Sequence, residues 1–140
     1  MSTERDLGTL TRLRDTDDTI ANTSTDIRGM DVVDTDGETL GKIDGLFFDE
    51  HEQKIRLMEI ASGGFLGLNQ KKVVIPIDAI EEITTSTVRV NQSRDRVAGA
   101  PLYDPDVVPS VSSLDQTYGY YGFLPFWGTG YTYPQRTQRL

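Results

Sequence analysis

The sequence predicts an all-β fold: a small barrel of five to six strands with a short C-terminal helix and an aromatic, Gly/Pro-containing tail. Three observations carry this. Between Asp26 and Pro76 short apolar bursts alternate with turn residues, among them Asp36-Gly37 and Ser62-Gly63-Gly64. The bursts have strand length and are rich in β-branched and aromatic side chains. The composition then changes at Pro101: five of the six prolines lie beyond residue 100, and eight of the twelve aromatics lie between Tyr118 and Tyr133. These shifts divide the chain into a polar N-terminal arm (1–26), a barrel domain (27–106), and a linker with an aromatic C-terminal extension (107–140).

In the arm, Leu7, Leu10 and Leu13 recur every three residues, the spacing of one face of a short helix; Asp15-Thr16-Asp17-Asp18-Thr19 then breaks it. Met30 to Val33 is the first predicted strand. Asp34-Thr35-Asp36-Gly37 is a hairpin turn, with Gly37 supplying the positive φ that tight turns need. Leu40 to Phe48 is the second strand, largely buried through Ile43, Leu46, Phe47 and Phe48. Asp49-Glu50-His51-Glu52 is a polar turn. From Lys54 to Ile60 the pattern alternates, placing Ile55 and Leu57 on one face and Arg56, Met58 and Ile60 on the other.

Ser62-Gly63-Gly64 reads as a turn or bulge. Val73 to Ile77 is a strand whose Pro76 belongs at a strand end or edge. Asp78-Ala79-Ile80 suggests a helical turn with Asp78 as N-cap. Ile83 leads into the last strand, Thr87 to Val90. Ser93 to Ala98 is a short helix stopped by Gly99-Ala100-Pro101. Segment 107–117 reads as linker, and the Gly- and Pro-interrupted run from Tyr118 to Gly128 as a poor continuous helix.

Charge excludes some functions. The chain has 14 Lys and Arg against 22 Asp and Glu, a net charge of −8. The barrel region alone carries nine basic and fifteen acidic side chains, whereas 107–140 has Asp115 against Arg136 and Arg139. An acidic surface repels phosphate backbones, so direct nucleic-acid binding is not expected. The absence of cysteine removes disulfides, thiolate metal sites and thiol catalysis. No apolar run has bilayer-spanning length, and the first residues lack signal-peptide character, so a cytoplasmic location is expected.

Each candidate for chemistry has a simpler account. Asp34-Thr35-Asp36-Gly37-Glu38 invites a calcium-loop reading, but with Gly37 as the sixth residue the loop would start at Val32 and end at Ile43. Neither offers the side-chain oxygen that such a loop requires, so a hairpin turn is favoured. His51, the single histidine, lies among carboxylates in a turn, where zinc would lack further nitrogen or sulfur ligands. It is also the sole imidazole base available to a nucleophilic triad. Ser62-Gly63-Gly64-Phe65-Leu66-Gly67 precedes strand-like Val73-Val74-Ile75, whereas a phosphate cradle opens a helix. Phe65 and Leu66 then read as an apolar contact patch. No catalytic residue, cofactor or metal is expected, and the chain is not read as an enzyme.

Taken in order, Gly37, Leu40-Gly41-Lys42-Ile43, Asp49, the Gly63-Gly64 turn and Val74-Ile75-Pro76-Ile77 resemble a PRC-barrel domain. This is the small barrel of the photosynthetic reaction-centre H subunit and of the ribosome maturation factor RimM. The resemblance covers about residues 27–91 and continues through Val97 to Pro105 in a stand-alone bacterial type. It implies a barrel that acts through protein contacts without enzyme activity. The reaction-centre role uses a preceding transmembrane helix and the ribosomal role a preceding domain. A polar arm stands in that place here, and no functional residue transfers by motif.

The extension is the chain's own feature. Tyr120, Tyr121, Phe123, Phe126 and Trp127 form a nearly uncharged aromatic run. Left in water they would make a large apolar surface of the kind that marks interaction sites. Three readings stay open: the extension folds back over its barrel, it binds a protein partner or second subunit, or it rests at a membrane interface. The leading expectation is a protein-binding or assembly module that self-associates through barrel and tail, with Phe65, Leu66 and the five rings as partner-binding residues. The alternatives are a peripheral membrane or photosynthetic-complex accessory, and a ribosome or RNA-processing accessory acting through protein contacts.

Overall fold

A computed structural model describes residues 10–13, 27–49, 54–61, 72–101, 111–128 and 130–131. They form seven strands: β1 (Leu10–Leu13), β2 (Asp31–Val33), β3 (Thr39–Asp49), β4 (Lys54–Ala61), β5 (Lys72–Pro76), β6 (Ile80–Ile83) and β7 (Thr87–Val90). A 3-10 turn spans Ile77–Ala79, and two helices follow, α1 (Arg94–Ala98) and α2 (Val111–Tyr121). The all-β class predicted from sequence holds as a mostly β fold with short helices.

The strands pair in the order β5-β4-β3-β2-β7-β6, with β1 added to β3. All pairs are antiparallel except β2 with β7. The two ends of this path, β5 and β6, are consecutive in the chain and joined by the three-residue 3-10 turn. A connection that short brings the first and last strands together, so the sheet curls on itself. Pro76, which has no N–H to donate, ends β5 at the margin of the path.

β3 is long enough to take two partners along one edge. Its first half pairs β2, with Asp31 opposite Lys42; its second half pairs β1, with Leu10 opposite Asp49 and Leu13 opposite Leu46. Leu10 and Leu13 thus belong to a strand, correcting the helical reading of the arm; Leu7 lies outside the described residues. A three-residue spacing fits a helix, but the unpaired edge of β3 supplies backbone partners that override it.

The β2–β3 hairpin is closed by Asp34. Its carboxylate is buried, and Oδ1 accepts from the N–H groups of Asp36 at 2.9 Å and Glu38 at 2.8 Å. Gly37 N–H donates to the Asp34 carbonyl at 3.0 Å, and Gly37 has φ 86°. Asp34 therefore organises a turn with its own backbone, as expected of the hairpin reading.

Ile43, Leu46, Met58, Ile60, Ile75 and Val88 fill the interior with almost no exposure. The expected alternation in β4 breaks at one point. The β3–β4 register shifts between Phe47 and Phe48, where Phe47 pairs Leu57 and Phe48 pairs Ile55, leaving Arg56 as the extra residue. This bulge puts Ile55 in the interior while Leu57 packs outside, so the two do not share a face. Asp78 is likewise not a cap. The 3-10 turn begins after Pro76, whose conformation is extended, and Asp78 lies inside it. α1 does follow the prediction: Ser93 is its N-cap, its Oγ accepting from Arg96 N–H at 3.1 Å, and Gly99 ends it.

Candidate functional site

The outer face of β3, β4 and β5 presents Phe47, Leu57 and Val74, one from each strand. Phe47 and Leu57 are directly opposed. This face would be an apolar patch, yet the three side chains are 2%, 0% and 5% exposed. Residues 111–131 cover it.

α2 starts inside the stretch expected to be linker, and this corrects that reading: Val111–Tyr121 is helical. Leu114, Tyr118 and Tyr121 recur at i, i+4 and i+7, so one stripe faces the barrel. Burial of that stripe outweighs the cost of Gly119 within the helix. Gly122, with φ 84°, ends it; Phe123 N–H donates back to the Tyr118 carbonyl at 2.9 Å and Gly122 N–H to the Gly119 carbonyl at 3.2 Å. The chain then turns through Pro125 to Gly128 and delivers Phe126 beside Tyr118.

Tyr118, fully buried, is the centre of the cover. Its ring meets Phe126 edge-on at 6.2 Å and Trp127 at 5.7 Å, and Phe126 meets Trp127 at 4.9 Å. T-shaped contacts of this kind stabilise beyond the area they bury. Leu114 and Phe126 complete the packing on Phe47, Leu57 and Val74, with Phe123, Trp127 and Tyr131 at the margin.

The bulged Arg56 lies under the same cover. It is 5% exposed, its Nη2 donates to the buried Asp49 carboxylate at 3.3 Å, and its guanidinium stands 4.5 Å from the Phe126 ring centre and 5.8 Å from that of Tyr131. A desolvated cation between a carboxylate and two ring faces is held more strongly than one in water. Asp78 lies nearby: burial pushes its carboxyl above the usual carboxylate range, opposed by the Tyr131 side chain and the positive charge of Arg56.

A second grip fastens the C-terminal end of α2 to α1. Tyr120 donates to the Arg96 carbonyl at 2.6 Å, Arg96 Nη2 donates to the Tyr120 carbonyl, and the Arg96 guanidinium is 4.6 Å from the Tyr120 ring centre. Tyr121 enters the main core, 5% exposed, and burial pushes its phenol well above the ordinary range.

The structure thus brings Tyr120, Tyr121, Phe123, Phe126 and Trp127 onto the chain's own barrel. Phe126 and Tyr121 are buried, and Tyr120, Phe123 and Trp127 half-buried. Among the described residues Leu124, 56% exposed, is the large apolar side chain that stays in water. Phe65, Leu66 and His51 lie outside the described residues. Sequence reasoning missed Leu114 and Tyr118, whose i, i+4 spacing with Tyr121 at i+7 was the available signal. It also missed the Arg56–Asp49 pair, which depends on a bulge that no local pattern announces.

Among the described residues no group of three or more His, Cys, Asp or Glu is arranged to hold a metal ion. No helix among them is long and apolar enough to cross a membrane. A curled sheet with a closed interior and an aromatic-covered outer face defines a small β-barrel module. The PRC-barrel domain matches residues 21–97, more than half the chain, and the protein belongs to the PRC-barrel family. Domains of this family are generally non-catalytic binding modules. No curated protein matches the chain.

Proposed function

We propose that this chain is a non-enzymatic protein-binding module that self-associates, with the aromatic extension as its contact element. The observation that carries the proposal is the outer surface of the cover. Leu124 projects there at 56% exposure, between half-buried Phe123 and Pro125 and close in sequence to half-buried Trp127. An apolar tip on a rigid aromatic platform is suited to an interface centre, where a few such side chains dominate binding. The near-neutral extension also gives acidic barrels a place to meet without opposing like charges.

The test is light scattering on the full chain and on Leu124→Asp across a concentration series, with affinity capture of partners beside it. Self-association or capture that Leu124→Asp weakens at least tenfold supports the proposal. A wild-type chain that stays monomeric and captures nothing refutes it. Co-sedimentation with anionic and neutral vesicles addresses a membrane-surface role.

A further inference from the structure

We infer that segment 111–131 docks in trans as well as in cis, so that two copies of this chain assemble by exchanging their C-terminal segments. The inference rests on the self-association proposed above and adds a second joint to it: exchange uses the inner face of the segment, whereas Leu124 stands exposed outside that buried cluster.

Three observations converge. First, the segment closes its own turns and is tied to the rest of the chain through side chains: Tyr118 and Tyr120 donate to the Arg56 and Arg96 carbonyls, Arg96 Nη2 donates to the Tyr120 carbonyl, and Tyr121 enters the main core. The segment's backbone hydrogen bonds from Phe123 to Tyr118, Gly122 to Gly119, Gly128 to Pro125 and Tyr131 to Gly128 all close within it. The Tyr118, Phe126 and Trp127 rings also stack on one another. Among the described residues no strand pairing joins it to the sheet. A second copy offers each of these partners in the same places, so the segment can settle on another barrel with the same contacts.

Second, the face beneath cannot be left bare. Phe47, Leu57 and Val74 would be exposed together, and the Arg56–Asp49 pair would lose the rings that enclose it. An opened chain is driven to find a replacement cover. The cover that fits this face is an identical segment, since its contacts are then reproduced pair for pair.

Third, the geometry of the chain permits it. Residues 102–110 separate Pro101 from Val111, nine residues that reach about 30 Å when extended. That is enough to span to a neighbouring barrel of this size. The segment carries one charged residue, Asp115, so the exchanged joint adds little repulsion between two acidic barrels. Exchange of an identical element is a low-cost route to a dimer because no new interface has to be built.

Closure in cis is favoured by the effective concentration of a tethered segment, so exchange grows with protein concentration and is set when chains fold together. The test uses the unaltered full chain. Isotopically labelled and unlabelled protein are mixed in denaturant and refolded together at about 1 mM, the scale of effective concentration for a short link. Mass is read by light scattering and interchain contacts by isotope-filtered NMR.

The expected result is a dimer population at twice the 15.6 kDa mass. It comes with interchain cross-peaks from the Tyr118, Phe126 and Trp127 rings to the Leu57 and Val74 methyls. A dimer without those cross-peaks overturns exchange and leaves the binding module standing. A chain that remains monomeric under these conditions overturns both exchange and self-association.

Discussion

Replacing Tyr118 by Ala tests whether the aromatic extension is part of the folding unit or an appendage to it. Tyr118 is fully buried and meets Phe126 and Trp127 edge-on over the Phe47–Leu57–Val74 face. Burying an aromatic ring removes on the order of 150 Å² from water, which at about 25 cal/mol per Å² is near 4 kcal/mol. Large aromatic-to-alanine changes in cores cost about 3–5 kcal/mol once the cavity is included. The site borders the surface and can partly collapse, so the lower part of that range, about 3–4 kcal/mol, is expected.

Such a loss is a large share of a domain's stability of about 5–15 kcal/mol. With a urea slope of about 1.5 kcal/mol per M, the midpoint falls by about 2–3 M. Trp127 is the single tryptophan and sits in the cover. Its fluorescence therefore reports the segment, while circular dichroism reports the sheet. Because the cover shields the Arg56–Asp49 pair as well as three apolar side chains, the two signals should change together in wild type and variant. A loss below about 1 kcal/mol, or a Trp127 transition well ahead of the sheet, would refute the reasoning.

Three further outcomes follow from the same packing. Asp34→Ala leaves two turn N–H groups without their acceptor and should cost about 2 kcal/mol in thermal or urea unfolding, whereas Asp34→Asn, which keeps an acceptor, should cost clearly less; equal losses would argue against the turn role. Arg56→Met removes a charged partner of the buried Asp49 carboxylate and should cost about 3–5 kcal/mol; Arg56→Met with Asp49→Leu should cost less than the sum of the two single changes, and additive losses in a double-mutant cycle would contradict coupling. Asp78 has a folded-state pKa raised above its ordinary 3.8 by burial, so its contribution is fully present below that value and is lost as pH rises through the folded pKa. Asp78→Asn should therefore gain stability relative to wild type between acidic and neutral pH. A stability difference between the two that is the same at pH 3.5 and pH 7 would exclude the desolvation account.

The barrel was legible because its signals are local. Gly37 with Asp34 and Asp36 specifies a turn wherever it stands, and Pro76 cannot sit inside a central strand. Ser93 three residues before Arg96 offers a cap to a short helix. The β-branched runs around Val73 and Val88 have strand length. Gly37 and Pro76 also carried the family resemblance, and the matched region 21–97 contains all of these signals. The misreadings share a cause of the opposite kind. Leu10 and Leu13 looked helical until the free edge of β3 claimed their backbone. Ile55 and Leu57 looked like neighbours on one face until the bulge opposite Phe47 and Phe48 turned one inward and the other outward.

By itself, the sequence determined a small acidic β-barrel without cysteine chemistry, followed by an aromatic extension that had to be covered by something. It could not say by what, because the covering face is assembled from β3, β4 and β5, three strands whose alignment depends on register and on one extra residue. Tertiary structure decided that the extension closes over its own barrel, that Gly119 is carried within a helix, and that Arg56 is buried with Asp49 beneath the rings. Turn chemistry acts over four residues and survives in the linear text. Packing of Tyr118 on Leu57 joins positions 61 apart, and only the folded chain brings them together.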